Sequence, residues 1–280
     1  MLEFFLFLLG VSMVKVILRP VSELLLTSGV TKENYVGVRI PTAVGVVFPL
    51  TLPLSLAACL TLKQVLFNPE EVFLLLFITT GMGFVGLCDD LLKTDEEKGF
   101  RGHFAQLLKG KLTSGALKAG AGIGFALIFT SGLWVMGRAS LWMLIPQTLV
   151  VALATNSINL FDLRPGRAVK FFFFAAILFF LLLELRGIKS PYFKLLYPVS
   201  GGLLAYLPLD IKAQGMLGDT GANFLGALLG AVIILTKDPV LLYSAFCFFL
   251  SLQLGAERFS FSQVIESNRV LRFLDELGRD

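Results

Sequence analysis

Two adjacent carboxylates, Asp89 and Asp90, close a long apolar run in "FVGLCDDLLK", and Lys93, Lys98, Arg101, Lys109, Lys111 and Lys118 follow close behind. Charged groups at the edge of hydrocarbon are costly unless they are paired, hydrated or bound to a metal. The cations would draw phosphate groups to the two carboxylates, and carboxylates beside phosphates suit Mg²⁺. Two more polar stretches stand at the ends of apolar runs. In "NSINLFDLRPGRAVK", Asn156, Asn159 and Asp162 fall at i, i+3 and i+6, a spacing read as one side of a helix. Pro165 and Gly166 then break that helix. "GMLGDTGANFLGALLG" puts Asp219 in the first turn of an apolar helix, with Asn223 one turn later.

Each stretch also has a plainer reading. Asp89 and Asp90 with Lys93 could be a hydrated helix end with an i,i+4 ion pair. The amides could join helices to one another, and Asp219 could complement a helix dipole. Gly218, Ala222, Gly226 and Gly230 recur every fourth residue, which reads as close helix packing rather than a phosphate cradle. His103 is the single histidine, so a zinc site has no second imidazole.

The elements that must position these residues follow from composition. Of 280 residues, 56% are hydrophobic and 27 are Phe, while 16% are charged; a soluble domain carries about 25% charged residues. Nine apolar segments can be drawn, at 1–18, 42–62, 71–90, 116–136, 141–161, 168–185, 195–210, 217–236 and 240–256. An all-α, polytopic transmembrane helix bundle is the expected fold, with residues 1–256 as the bundle and 257–280 as a cytoplasmic amphipathic tail. Residues 1–18 read as a retained first span, because Glu3 precedes any basic residue and no small-residue cleavage site follows. Cys59, Cys88 and Cys247 read as small hydrophobic residues inside the bundle.

Nine spans place the termini on opposite sides. Of the 24 Lys and Arg residues, all but Lys63, Arg138, Arg186, Lys189, Lys194 and Lys237 lie on one side. The positive-inside rule makes that side cytoplasmic, with the N-terminus out and the C-terminus in. Every polar motif falls on the same side, which points to a single site facing the cytoplasm. A net charge of +4 is too small to argue for nucleic acid. In the tail, Phe261, Val264, Ile265, Leu271 and Leu274 oppose Ser262, Glu266, Arg269, Arg272 and Glu276. That helix either lies in the membrane interface or docks on the cytoplasmic face of the bundle.

The motifs "IPTAVG", "FVGLCDDLLK", "KGFRGH", "NSINLFD" and "MLGDTGANFLG" come in the order found in the polyprenyl-phosphate sugar-1-phosphate transferases (glycosyltransferase family 4), and residues 34 to 230 resemble that superfamily. The resemblance implies a Mg²⁺-dependent membrane enzyme in the plasma membrane. It would move a sugar 1-phosphate from a UDP-sugar to a polyprenyl phosphate lipid, undecaprenyl phosphate, and release UMP. By position, Asp89 and Asp90 match the family's aspartate pair, with Lys93 and Lys98 as catalytic cations. Asp219 matches its metal-binding aspartate, so that Asp89, Asp90 and Asp219 would share one metal. Asn156, Asn159 and Asp162, with Lys118 and Asn223, would bind substrate, and a homodimer is compatible with the pattern. The chain departs from the family at Pro165, which replaces an acidic residue, and the family's histidine cluster and final span have no counterpart in these residues. A catalytically silent relative, serving as a membrane partner in envelope-polymer assembly, is the alternative. A transporter is disfavoured because its ionisable groups would sit near mid-bilayer.

Overall fold

The structure is a computed structural model that describes residues 1–61, 67–92 and 114–279. The expected catalytic Lys93 and Lys98, together with Arg101, His103, Lys109 and Lys111, lie outside the described residues. Helix α1 spans Leu2–Thr27, α2 Val47–Thr61, α3 Pro69–Leu91 and α4 Ser114–Val135. Then come α5 Leu144–Phe161, α6 Arg167–Leu185, α7 Leu196–Ile211, α8 Gly218–Leu235 and α9 Pro239–Ala256. The tail forms two short helices, α10 Phe261–Ser267 and α11 Arg269–Glu276. Where the sequence supplies start signals the helices use them. Asn68 caps α3 by accepting the Glu70 N–H, Pro69 follows, and Glu70 and Glu71 occupy the first turn. Asp238 and Pro239 open α9 in the same way.

Among the described residues, seven helices are long and apolar enough to cross a membrane. Helices α2 and α7, at 15 and 16 residues, fall where the other two apolar segments were expected but are short of the ~20 residues that span a bilayer. One departure from the all-α expectation is a small antiparallel hairpin, β1 Thr31–Glu33 with β2 Arg39–Pro41, in which Thr31 lies opposite Pro41. Its turn forms because the Asn34 carboxamide accepts the Val36 and Val38 N–H groups, and Gly37 takes a φ of +80°.

Helix α8 is the centre of the bundle. Every residue from Thr220 to Leu235 is buried, as expected of a helix that is apolar all round. Helices α3 and α5 press on it at glycines. A Cβ added at Gly86 would lie 2.2 Å from the Asp219 carbonyl oxygen, and one at Gly226 would lie 2.3 Å from the Thr155 Cα.

The two ends of the bundle differ chemically. At one end the buried Glu71 accepts hydrogen bonds from Lys237 Nζ at 2.9 Å and from the Tyr192 hydroxyl, with Arg138 at 3.7 Å. Arg186 pairs there with Asp238 at 3.0 Å. Arg138, Arg186 and Lys237, three of the cations assigned from sequence to a single side, therefore do gather.

At the other end the described residues of the tail fold back onto the bundle through their polar side. Arg167 donates from Nε and Nη2 to the two Asp275 carboxylate oxygens at 2.8 and 2.7 Å, and from Nη1 to Ser262 Oγ at 2.8 Å. Arg279 donates to both Asp275 oxygens at 3.0 Å. Phe261 packs on Phe161 with ring centroids 5.4 Å apart. Burial works to raise the Asp275 carboxyl, but hydrogen bonds from Arg167 and Arg279 outweigh it and hold the group below the usual carboxylate range.

Two predictions follow from this packing. Gly86→Ala should cost about 3 kcal/mol, the upper end of overpacking penalties. Gly120→Ala, in α4 where an added Cβ meets nothing within 4 Å, should gain about 0.5–1 kcal/mol; thermal unfolding of both variants in detergent reads the contrast. Because folding lowers the Asp275 pKa, its contribution to docking is complete above the unfolded value of about 3.9 and is lost as pH falls through the lower folded value. Hydrogen exchange of residues 261–279 should accelerate only in that acid window, and Asp275→Asn should exchange fast at neutral pH.

Candidate active site

The first turn of α8 has no cap of its own, since Leu217 supplies no side-chain acceptor. The missing acceptor comes from α3. Asp90 is 1% exposed; its Oδ1 accepts the Asp219 N–H at 3.2 Å, and its Oδ2 accepts the Thr220 N–H at 3.0 Å and the Thr220 hydroxyl at 2.7 Å. Such charge-assisted bonds to a helix N-terminus offset the cost of burying a carboxylate. Gly218 makes the fit possible: its φ is +71°, and a Cβ there would lie 2.5 Å from Asp90 Oδ2. The segment before α2 completes the support. Pro41 accepts the Met216 N–H, and the Val44 and Gly45 N–H groups bond to Met216 and Leu217 carbonyls. "IPTAVG" therefore acts through its backbone, holding the approach to α8.

With that turn fixed, Asp219 faces Asp89 across one cation. Lys118 Nζ, from α4, donates to Asp89 Oδ2 at 3.1 Å and to Asp219 Oδ2 at 2.5 Å. On the other side of Asp219 opens a cavity of about 190 Å³, lined in part by Asp90, Asp162, Asp210, Asp219 and Lys32. Lys32 Nζ lies 3.7 Å from Asp90 Oδ1. The hairpin that carries Lys32 closes one wall, and the loop from Asp162 to Pro165 closes another. The walls touch where Arg164 sits over the Tyr35 ring, 5.7 Å from its centroid. Asp162 lies just past the end of α5. Burial, then the charges of Asp210, Asp219 and Asp90, push its carboxyl well above the usual range, against a smaller pull from Lys32.

The structure thus brings Asp89, Asp90, Asp219, Lys118 and Asp162 together from four elements: α3, α4, α8 and the loop after α5. It separates the amides. Six residues advance a helix by a net rotation of about 120° from the starting face, so Asn156 and Asp162 do not share a side as the sequence reading held. Asn156 is exposed and donates to Gln253 Oε1 on α9 at 2.6 Å. Asn159 donates to Asn223 Oδ1 at 2.5 Å, an interhelical pair between α5 and α8. The remaining halves, Asn159 Oδ1 and Asn223 Nδ2, are buried without a hydrogen-bond partner among the described residues, and neither residue lines the cavity.

Lys32 and Asp210 escaped the sequence reading. Asp210 ends an apolar segment as Asp89 and Asp90 do, and that signal could have found it; its carboxylate accepts the Gly166 N–H at 3.1 Å and holds the loop. Lys32 had no such signal, because the hairpin that aims it was not foreseen.

A divalent metal can be tested against this arrangement. Among the described residues no three His, Cys, Asp or Glu side chains form a metal cage, and Asp90 has its oxygens occupied by α8 and Lys32. Asp89 and Asp219 remain, a carboxylate pair already held by a single cation. Mg²⁺ in phosphoryl-transfer sites uses one or two carboxylates, with water and substrate phosphates completing its shell. The pair fits that requirement.

A family model described as "Glycosyl transferase family 4" matches residues 72–237, a stretch that contains α3 to α8 from Val72 onward. Among curated relatives, the phospho-N-acetylmuramoyl-pentapeptide-transferase of Acetivibrio thermocellus is 27% identical over 220 residues, covering 75% of this chain and 64% of the relative. The protein of the same name from Desulforamulus reducens is 28% identical over 211 residues, covering 72% of this chain and 62% of the relative. The chain therefore spans slightly less than two thirds of the length of these relatives.

Removing the Asp90 acceptor should be costly. Asp90→Ala leaves two N–H groups and a hydroxyl buried and unpaired, for a loss of about 2–4 kcal/mol. Asp90→Asn keeps one oxygen acceptor and should lose about half as much. Thermal unfolding of the two variants measures the difference.

Proposed function

The chain belongs to glycosyl transferase family 4, and from that premise we propose that it transfers a sugar 1-phosphate from a UDP-sugar to a polyprenyl phosphate such as undecaprenyl phosphate, releasing UMP. The observation that carries the reading is the Asp89–Lys118–Asp219 cluster, two carboxylates on one cation beside a cavity whose rim bears Lys32 and Arg164. In the proposed reaction an oxygen of the lipid phosphate attacks the sugar-bearing phosphorus of the donor. A new P–O bond forms there as the bond to the uridylyl phosphate breaks, and UMP carries away that electron pair. Both reactants are anions, so catalysis rests on neutralising and aligning phosphates. A bound Mg²⁺, held by Asp89 and Asp219, would supply that charge neutralisation. Lys118 and Lys32 bind phosphate oxygens as point charges, and Asp90 positions Asp219 without touching the reacting atoms. No general base is required, since the lipid phosphate is already ionised.

This multi-pass membrane protein is proposed to place the site at the cytoplasmic face of the plasma membrane, with nine spans, the N-terminus out and the C-terminus in. Support comes from the crowding of cations at the site's end and from the separate Glu71 cluster at the other. The silent-partner reading draws on one observation: Lys118 already compensates Asp89 and Asp219, so the cluster is self-sufficient without a metal.

UMP release separates the two. Purified protein in lipid discs containing undecaprenyl phosphate should release UMP from at least one UDP-sugar, and chelation of divalent metal should stop it. Asp219→Asn should lose several orders of magnitude in rate while keeping its thermal stability. No release across a panel of UDP-sugars, with Asp219→Asn complementing fully in cells, would establish the silent partner instead.

A further inference from the structure

Helix α11 is docked with its polar side inward. The residue it buries is Asp275, held by Arg167 and Arg279, while Val270, Phe273, Leu274 and Leu277 are 66, 63, 50 and 55% exposed. Those four positions follow the i, i+3, i+4, i+7 spacing of one continuous apolar stripe. A helix on a water-facing surface turns such a stripe to the core, so this one needs a cover.

Three observations select lipid as that cover. Lys170, in the first turn of the membrane-length α6, donates from Nζ to the carbonyls of Leu274, Asp275 and Leu277 at 3.1, 2.6 and 2.8 Å. The C-terminal end of α11 is thereby fixed against the flank of a spanning helix, where that helix begins. The tail also leaves α9, another membrane-length helix, at Ala256, and α10 starts after four residues, with Phe259 and Val264 exposed between the membrane end and α11. Finally, Arg258, Arg269 and Arg272 are exposed among Glu257, Glu266 and Glu276, so the segment offers guanidinium groups to anionic headgroups without a net excess of positive charge.

We propose that residues 257–279 form a lipid-facing strap. Acyl chains of the adjoining leaflet cover Val270, Phe273, Leu274 and Leu277, and anionic headgroups meet Arg258, Arg269 and Arg272. The polar side of the strap meanwhile holds the loop that borders the cavity. That hold is direct: Arg279 Nε donates to the Pro165 carbonyl at 2.7 Å, Glu266 lies 3.6 Å from Arg164, and Arg167 ends the loop in the Asp275 pair. Lipid contact at the stripe is therefore coupled to the order of residues 162–167. This inference does not depend on the transferase reading.

The test uses the full chain in lipid discs. Phe273→Trp adds an indole to the stripe, and its emission is read after subtracting the signal of Trp134 and Trp142 from the parent protein. Phospholipids brominated on their acyl chains should quench most of the added emission. Hydrogen exchange at residues 162–167 should be slower in discs with phosphatidylglycerol than in phosphatidylcholine alone. Replacing Arg258, Arg269 and Arg272 by Gln should weaken that anionic-lipid effect about fivefold per charge removed. Unquenched, water-like emission would overturn the proposal. Unquenched blue emission that grows with protein concentration would overturn it too, by assigning the stripe to a second copy of the chain. Equal exchange at residues 162–167 in both lipids would overturn the coupling.

Discussion

The charged end of this protein depends on one carboxylate, Asp90, set against the first turn of the most buried helix in the bundle. A buried carboxylate is expensive, and a helix N-terminus without acceptors is expensive as well. Placed together, each offsets the other's cost. The arrangement imposes strict demands on its neighbours. Gly218 must lack a Cβ because Asp90 Oδ2 occupies that space, and Gly86 must lack one because the Asp219 carbonyl does. The strand before α2 must then bond to the chain entering α8. Only with these conditions met does Asp219 face Asp89 and Lys118.

The two polar ends solve the burial of charge in opposite ways. At the far end Glu71 is enclosed by Lys237, Arg138 and Tyr192, partners that tie α3 to the loops opposite. At the near end Asp90, Asp162, Asp210 and Asp219 share a cavity with Lys32 and Arg164. Four carboxylates beside two cations leave the cavity lining with an excess of negative charge, which favours the entry of positive charge. The Arg167–Asp275–Arg279 network adds rigidity to the same end, because it fixes the loop from Asp162 to Arg167 without occupying the cavity.

Much of this was legible before any coordinates. Long apolar runs marked the helices, and carboxylates at their ends marked the site, because the cost of charge at a membrane edge is a strong constraint on sequence. Asp89, Asp90 and Asp219, which the structure brings together around Lys118, are marked in that way. Distinguishing Asp90 from Asp89 was not possible, since adjacent residues on a helix point about 100° apart and only the packing of α8 decides which one is buried. The faces of Asn156 and Asp162 are a different case: an i,i+6 step turns an α-helix about 120° from its starting face, so that spacing never put them on one side, and Asn156 meets Gln253 on α9 instead. Lys32 was hidden by a hairpin with strands of three residues, too short for any alternating pattern to emerge.

The central claim divides labour among three carboxylates: Asp90 positions, while Asp89 and Asp219 hold the cation. Binding of Mn²⁺ as a Mg²⁺ substitute, followed by electron paramagnetic resonance on the wild-type chain and on Asp89→Asn, Asp90→Asn and Asp219→Asn, tests it most directly. The account predicts one bound Mn²⁺ in the wild type, a weakened but present site in Asp90→Asn, and no site in either of the other two variants. A site that survives Asp219→Asn, or one that vanishes with Asp90→Asn while persisting in Asp89→Asn, would contradict it.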